Sequence, residues 1–489
     1  MFTGILLLII FLALAFLMYL GKIPALLALP VLAILLAFVA GVPFYLQQAG
    51  VEGSLLAKLR YAFSEAFKLS FITVVSDGVP RLQMAIFTVI LGGIFGQLLK
   101  ITGVGEALVR KAAELAGDNP LSLCLIMTLV VSFLFTTLSG LGSVILVANI
   151  FFPLLLSVGI PPLLTGCIFL IGFSLGGVFN IVNWALYIDV LGMQQAEVMR
   201  YAIPFGGLFL LLLIAFIVIE FKRAKLPVPL MSLLKIVGGM ALIGGLLAWL
   251  KIGNVLSADT YLILKNIYKI SIFTFLFLPL FGKRFFWVPM LAPFLPISLV
   301  LILNWAIIPS FLIGIIYLFI TTLNLKQADA FGTGSKMVVQ SAIEGIQGVT
   351  PAIAIMLGIG MVLISVNQEP VKQCLTPLLS AVLPSSPLGY VIFFTVMAPL
   401  ALYRGPLNLW GMGSGLMGLI KQTALLGNVP IMAAFMATGQ IQGVCDPTNT
   451  HNVWIANQLK IDLNAILTKT LPYIWVITLL GLILGVYVS

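Results

Sequence analysis

Long apolar runs separated by short polar breaks dominate the chain. About 20 mostly apolar residues cross a bilayer as a helix. Runs of that kind fall at 3–20, 24–45, 80–101, 162–192, 201–220, 232–250, 262–281, 285–303, 305–323, 351–367, 430–459 and 470–488. Two regions break the pattern. Residues 121–158 and 387–426 are each a pair of shorter apolar pieces around a polar, Gly-rich kink, Thr136-Thr-Leu-Ser-Gly-Leu-Gly-Ser143 and Tyr403-Arg-Gly-Pro-Leu-Asn408. These predict re-entrant hairpins, because irregular backbone at membrane depth persists only where protein or a water-filled cavity satisfies its amides. The opening run lacks a basic n-region and a small-residue cleavage site, so it reads as a retained first membrane helix rather than a secretory signal.

Composition agrees with this reading and narrows it. Of 489 residues, 61% are apolar and 8% charged, against about 25% charged in soluble domains, which excludes a water-soluble globule. The net charge of +10 reflects Lys and Arg gathered in loops, and no basic run interleaved with aromatics points to nucleic acid. Lys222, Arg223 and Lys225 form the clearest cytoplasmic anchor. Lys283 with Arg284, Lys326 with Lys336, and Lys100 with Arg110 and Lys111 then also fall inside, and the chain starts outside. Lys58, Arg60 and Lys68 fall outside against the rule, in a segment where Leu55, Leu56, Leu59, Phe63 and Phe67 predict an amphipathic helix lying in the interface. Cys124, Cys167, Cys374 and Cys445 have no CxxC spacing and His451 stands alone, so neither a disulfide framework nor a metal cluster is expected.

The chain matches itself at an offset of 269: Pro161 falls on Pro430, Asn180 on Asn449, Asn183 on Asn452 and Arg200 on Lys469, and the two kinked hairpins coincide. An Asn-x-x-Asn repeated inside two apolar segments is the informative part. Each copy crosses three times with a hairpin, and four helices intervene, so the second copy starts on the opposite side. The expected fold is an all-α polytopic membrane protein with inverted repeats, two re-entrant hairpins and two broken helices, an arrangement that places binding sites near the midplane.

The first broken helix carries Phe173-Ser-Leu-Gly-Gly-Val-Phe-Asn-Ile-Val-Asn183 and the second Gln440-Ile-Gln-Gly-Val-Cys-Asp-Pro-Thr-Asn-Thr-His-Asn452. Pro447 disfavours helix at Asp446 and Gly176 and Gly177 weaken the first copy, so both predict unwound midpoints. Freed backbone groups there, with Asn, Thr and Asp side chains, make a site for an anion or small cation; the alternative is that they only bond neighbouring helices. Asp446 is the candidate for a coupling proton or sodium ion, and His451 is a second proton carrier, an anion donor or a plain hydrogen-bonding group. Arg404 either offers its fork to a carboxylate or snorkels to the interface. Helix starts at Ser139 and Asn408 aim positive dipole ends toward an anion.

This organisation resembles the ion transporter superfamily of secondary carriers. Within it the gluconate/proton symporters and the citrate and C4-dicarboxylate carriers are most similar. Ile90-Leu-Gly-Gly-Ile-Phe-Gly-Gln-Leu-Leu-Lys-Ile-Thr-Gly-Val-Gly105 resembles the early Gly-rich helix of the gluconate family, and Thr438 to Leu480 stands in the place of its second site loop. The first site loop departs from that family in lacking its Pro and His, and Pro447-Thr-Asn-Thr450 is the nearest echo of the dicarboxylate carriers' Ser-Asn-Thr. The resemblance implies an elevator-type transport domain moving against a scaffold that forms a homodimer. By position it marks Ser139, Gly140, Asn180, Asn183, Asn408, Thr448, Asn449, Thr450 and Asn452 as substrate-binding, with Arg404 beside them. The division that follows is residues 1–79 as N-terminal scaffold and interfacial helix, 80–225 as first repeat, 226–336 as central scaffold and 337–489 as second repeat.

The expected function is proton- or sodium-coupled symport of a small organic anion, a sugar acid such as gluconate or a carboxylate, across the bacterial inner membrane. The alternative is a sodium/proton antiporter. No cofactor, resident metal or catalytic residue is expected, since His451 has no HExxH context and neither a GxSxG nor a Walker motif occurs.

Overall fold

The computed structural model describes residues 2–20, 22–49, 54–117, 119–229, 258–277, 287–323 and 330–488, with isolated positions between 231 and 239. Most of the expected span 232–250, the ends of 262–281 and 285–303 that lie in 278–286, and the basic residues Lys283, Arg284 and Lys326 lie outside the described residues. Among the described residues the regular structure is helical throughout.

Five helices are each long and apolar enough to cross a membrane alone: Ala25–Gln48, Gln83–Ile101, Gln195–Arg223, Phe331–Asn367 and Leu463–Tyr487. The chain is a membrane protein on that ground. A further pair passes the same test together but is bent: Pro162–Val178 and Ile181–Leu191 meet at 47°. The expected hairpin 121–158 is Pro120–Leu134 and Leu141–Ser157, 15 and 17 residues long, joined by a short loop. At 1.5 Å per residue each arm is about 22–26 Å, short of the roughly 30 Å hydrocarbon core. The expected hairpin 387–426 is Pro387–Met397 running through a 3-10 turn to Arg404, then Met412–Gln422. The second broken helix is Asn428–Cys445 followed by Thr450–Leu459.

One expected boundary is wrong by 21 residues. The span placed at 351–367 is the C-terminal half of a 38-residue helix, Ala330–Asn367, that runs through Pro351. A proline removes one backbone donor and crowds the preceding turn, but Gly345 and Gly348 precede it and Gln83–Ile101 packs against this stretch. Two amphipathic helices, Val104–Ala116 and Glu369–Val382, were not expected. An amphipathic helix at 55–67 was: Leu55–Phe67 leaves Leu55, Leu56, Phe63 and Phe67 exposed and turns Ala62 and Ala66 toward Ala25–Gln48. Apolar side chains on the outer face fit a lipid surround.

The two broken helices occupy the middle of the molecule. Pro162–Val178 is buried at every position from Leu164 to Gly172, and Asn428–Cys445 from Ile431 to Thr438. A helix apolar on all sides is one that is surrounded. Small residues set the spacing. Gly172 and Gly176 share a face, and there they meet Thr128 and Ser132 of the first hairpin; a Cβ on Gly176 would lie 2.3 Å from the Ser132 carbonyl oxygen. Close approach of this kind replaces the hydrophobic effect as the source of helix association in lipid. Gly176→Leu is therefore expected to lower stability by about 1–3 kcal/mol or more, as overpacking does. Gly207→Leu, where a Cβ meets nothing within 4 Å, is expected to leave thermal unfolding in detergent unchanged. Equal unfolding temperatures for the two would remove the close contact from the account.

Candidate functional site

Asn180 holds the first half of the site together. It ends the break in the first broken helix, where its Oδ1 accepts from the amides of Val182 at 2.9 Å and Asn183 at 3.4 Å, capping Ile181–Leu191. Its Nδ2 donates to the carbonyls of Phe135 at 2.7 Å and Leu138 at 3.0 Å, at the tip of the first hairpin. The amide of Ile181 donates to Thr136, adding a backbone tie between the same two breaks. Asn180 borders the cavity with every polar group of its amide engaged in protein bonds, so its part is to position the tip.

The second half uses the same residues differently. Asn449 starts Thr450–Leu459 without capping it through its side chain; Nδ2 donates instead to the Gln442 carbonyl at 3.1 Å. Asn452 donates to the carbonyls of Val444 at 3.0 Å and Asp446 at 2.9 Å, and its buried Oδ1 has no hydrogen-bond partner. Asn183 donates to Gly177 at 2.9 Å, so Asn183 and Asn452 each reach back six residues to the carbonyl at their own break. Ser174 and Gly443, paired by the same offset of 269, also meet: a Cβ on Gly443 would lie 2.9 Å from Ser174 Oγ. Ser174 Oγ bonds Gln440 Oε1 at 2.6 Å across the crossing of the two broken helices.

At that crossing lies a cavity of about 290 Å³. Both hairpins, both broken helices and the long helix contribute: Ser139 and Gly140 from the first tip, Asn183 and Tyr187 from the first broken helix, Trp410 from the second hairpin, Gln440, Gln442, Asn449 and His451 from the second broken helix, and Gly348 and Val349 from Ala330–Asn367. Phe135, Phe173 and Phe435 supply apolar wall. None of the described lining residues is Asp, Glu, Lys or Arg. Ser139 Oγ is buried and without a partner, and Gly140, at φ +82°, starts Leu141–Ser157 with no side-chain cap. Two uncapped helix starts, at Gly140 and Asn449, thus border one uncharged cavity.

His451 borders it too, with its ring 4.6 Å from that of Phe173. Nε2 lies 3.0 Å from the Gly443 carbonyl and 3.2 Å from Asn449 Nδ2. A carbonyl only accepts and an amide NH2 only donates, so the Gly443 bond requires a proton on Nε2 and the Asn449 bond requires a bare Nε2: the two are alternatives set by the tautomer.

Five expected residues whose side chains are described lie off the cavity lining. Asn408 is 3% exposed and builds its own turn, Oδ1 accepting from the Trp410 amide at 3.0 Å while its carbonyl accepts from Gly411 and Gly413. Asp446 is fully buried and folds the second break, Oδ1 accepting from Thr448 N at 2.8 Å and Thr448 Oγ1 at 2.7 Å. Thr448 and Thr450 are exposed, and Asn452 sits behind the break. The backbone of Arg404 closes the 3-10 turn, and its side chain lies outside what is described. Gln440, Gln442, Ser174, Tyr187 and Trp410 border the cavity without having been singled out from the sequence.

No family model matches the chain, and neither does any curated protein. Among solved structures it is similar to the Alcanivorax borkumensis YdaH transporter, whose crystal structure is described as revealing an unusual topology; identity is 14%, the match covers 94% of this chain and 98% of that one, and the TM-score is 0.53. At that identity the likeness is one of fold: the chain is a membrane protein, helical among the described residues, that shares the overall fold of that structure.

Proposed function

We propose that the protein is a secondary transporter that carries a small organic anion through the cavity between the hairpins and broken helices, driven by a proton or sodium gradient. The observation that carries this is the cavity itself, closed by four interrupted elements, with two uncapped helix starts and the unpartnered Ser139 hydroxyl on its wall. Helix N-termini favour negative charge through oriented amides, the Asn, Gln and Ser side chains fit the hydroxyls of a sugar acid, and the aromatic wall fits the hydrocarbon part of a simpler carboxylate. A transporter-type fold supports the class, and the resemblance to gluconate and dicarboxylate carriers supports the substrate. The same resemblance has the hairpins and broken helices moving as an elevator against a dimeric scaffold. Asp446 and Asn452 are the proposed place of the coupling cation, since both are buried at the second break, Asn452 Nδ2 donates to the Asp446 backbone carbonyl, and the Asn452 amide oxygen has no donor.

Uptake of labelled sugar acids, mono-, di- and tricarboxylates into proteoliposomes, under imposed proton and sodium gradients in turn, tests the reading. One class should accumulate under one gradient. Asp446→Asn keeps an oxygen for Thr448 but removes the charge, and is expected to leave downhill movement while abolishing accumulation against a gradient. Silence across the panel, with sodium-dependent proton flux that Asp446→Asn abolishes, would establish the antiporter instead.

A further inference from the structure

A cluster of charge lies away from the cavity at the basic end of Gln195–Arg223, where that helix runs antiparallel to Leu463–Tyr487. Glu220 is 1% exposed, and its carboxylate accepts from Arg223 Nη1 at 2.8 Å, from Tyr473 OH at 2.9 Å and from Lys469 Nζ. One carboxylate thus faces two cations, leaving a net positive charge. Lys469 is mostly covered, at 28% side-chain exposure, whereas Arg223 is 67% exposed. Arg223 bonds Glu220 and Tyr473 through Nη1 alone, so most of its five donors remain for a further acceptor. Beneath this cluster Leu163, Leu212, Ala215, Ile219, Pro472 and Val476 wall an open groove of about 740 Å³.

We infer that this groove binds one anionic phospholipid, with the headgroup phosphate on Arg223 and an acyl chain along Leu212, Ala215 and Ile219. Three features favour that occupant. The cationic end and the apolar wall are joined in one groove, matching a lipid's phosphate-then-chain order. Glu220 and Tyr473 hold the guanidinium before anything binds, which lowers the ordering cost of a bidentate phosphate contact. Lys222 and Lys225 stand at the same helix end and add to the attraction for an anionic leaflet, whereas the ammonium of a zwitterionic lipid would oppose the net positive charge. A free phosphate would use the charge and leave the apolar wall uncovered.

Native mass spectrometry of the full chain in detergent, after exposure to equal amounts of phosphatidylglycerol and phosphatidylcholine with matched chains, tests this. The wild type is expected to retain phosphatidylglycerol preferentially. Arg223→Gln should lower that preference about fivefold, the factor one basic residue near the headgroups contributes. Ile219→Trp, which fills the groove and leaves the charges in place, should lower retention of both lipids. Lys222→Gln, a basic residue off the groove wall, should lower the preference less than Arg223→Gln does and leave retention of phosphatidylcholine unchanged. Excess inorganic phosphate should fail to displace the lipid. Equal retention of both lipids by the wild type, an equal loss in Lys222→Gln and Arg223→Gln, displacement by phosphate, or undiminished retention by Ile219→Trp would each overturn the inference.

Discussion

Asn180→Leu is expected to destabilise the protein by about 4 kcal/mol and to abolish transport. The leucine matches the asparagine in size, so the loss is one of bonds: two amides of the capped helix and two carbonyls of the hairpin tip lose their partner at once. Each buried backbone group left unsatisfied costs about 1–3 kcal/mol, and partial relaxation of the tip makes the sum smaller than four full penalties. Asn180→Ser separates the two roles. A serine caps the helix but does not reach the tip, so it should recover about 1 kcal/mol and still transport poorly. Thermal unfolding in detergent reads the first quantity, and Trp184, whose Nε1 donates to the Val178 carbonyl at 2.8 Å across the same break, gives a local fluorescence signal. A leucine variant as stable as the wild type would show that Asn180 does not hold the tip.

Gly439→Leu should have the opposite signature, with transport lost and stability kept. Gly439 borders the cavity, and a Cβ there meets nothing within 4 Å. Leucine is also the better helix former by roughly 0.5–1 kcal/mol, so the helix Asn428–Cys445 gains rather than loses. A substrate forced against the new side chain loses about 1–3 kcal/mol, as overpacking does, which is roughly a ten- to hundredfold fall in affinity. Gly176→Leu provides the contrast, because there the backbone of Ser132 already fills the space.

The parts of the site that were legible in the sequence are those where polarity interrupts an apolar run. Asn180, Asn183, Asn449 and Asn452 stood out for that reason, and the structure places all four at the breaks. What they do there was not legible. Whether an amide faces a ligand or its own backbone depends on a turn's geometry, and Asn180, Asn408 and Asn452 spend their amides on neighbouring carbonyls or amides. Gln440 opens the polar stretch of the second broken helix but was not chosen as a site residue; its Nε2 bonds the Met436 carbonyl one turn back while Oε1 meets Ser174. Trp410 and Tyr187 escaped because an aromatic in an apolar run looks the same whether it faces a cavity or a core. The long helix was expected to start only at Pro351 because the apolar run begins there and Lys336 was placed in a loop. In the structure Glu344 accepts from Gln340 at 2.7 Å on its own helix and is also bonded by Gln97 of the neighbouring one. These pairings let polar residues continue the helix.

The central claim is that the solute crosses through the cavity at the meeting of the hairpins and broken helices. The most direct test is uptake of the organic-anion panel into proteoliposomes containing either the wild type or Gly439→Leu, with unfolding temperatures measured on the same preparations. The account predicts wild-type accumulation of one anion class and a fall of ten- to a hundredfold in Gly439→Leu at an unchanged or higher unfolding temperature. Full uptake by a Gly439→Leu protein of wild-type stability would contradict it, because the solute would then be passing somewhere else.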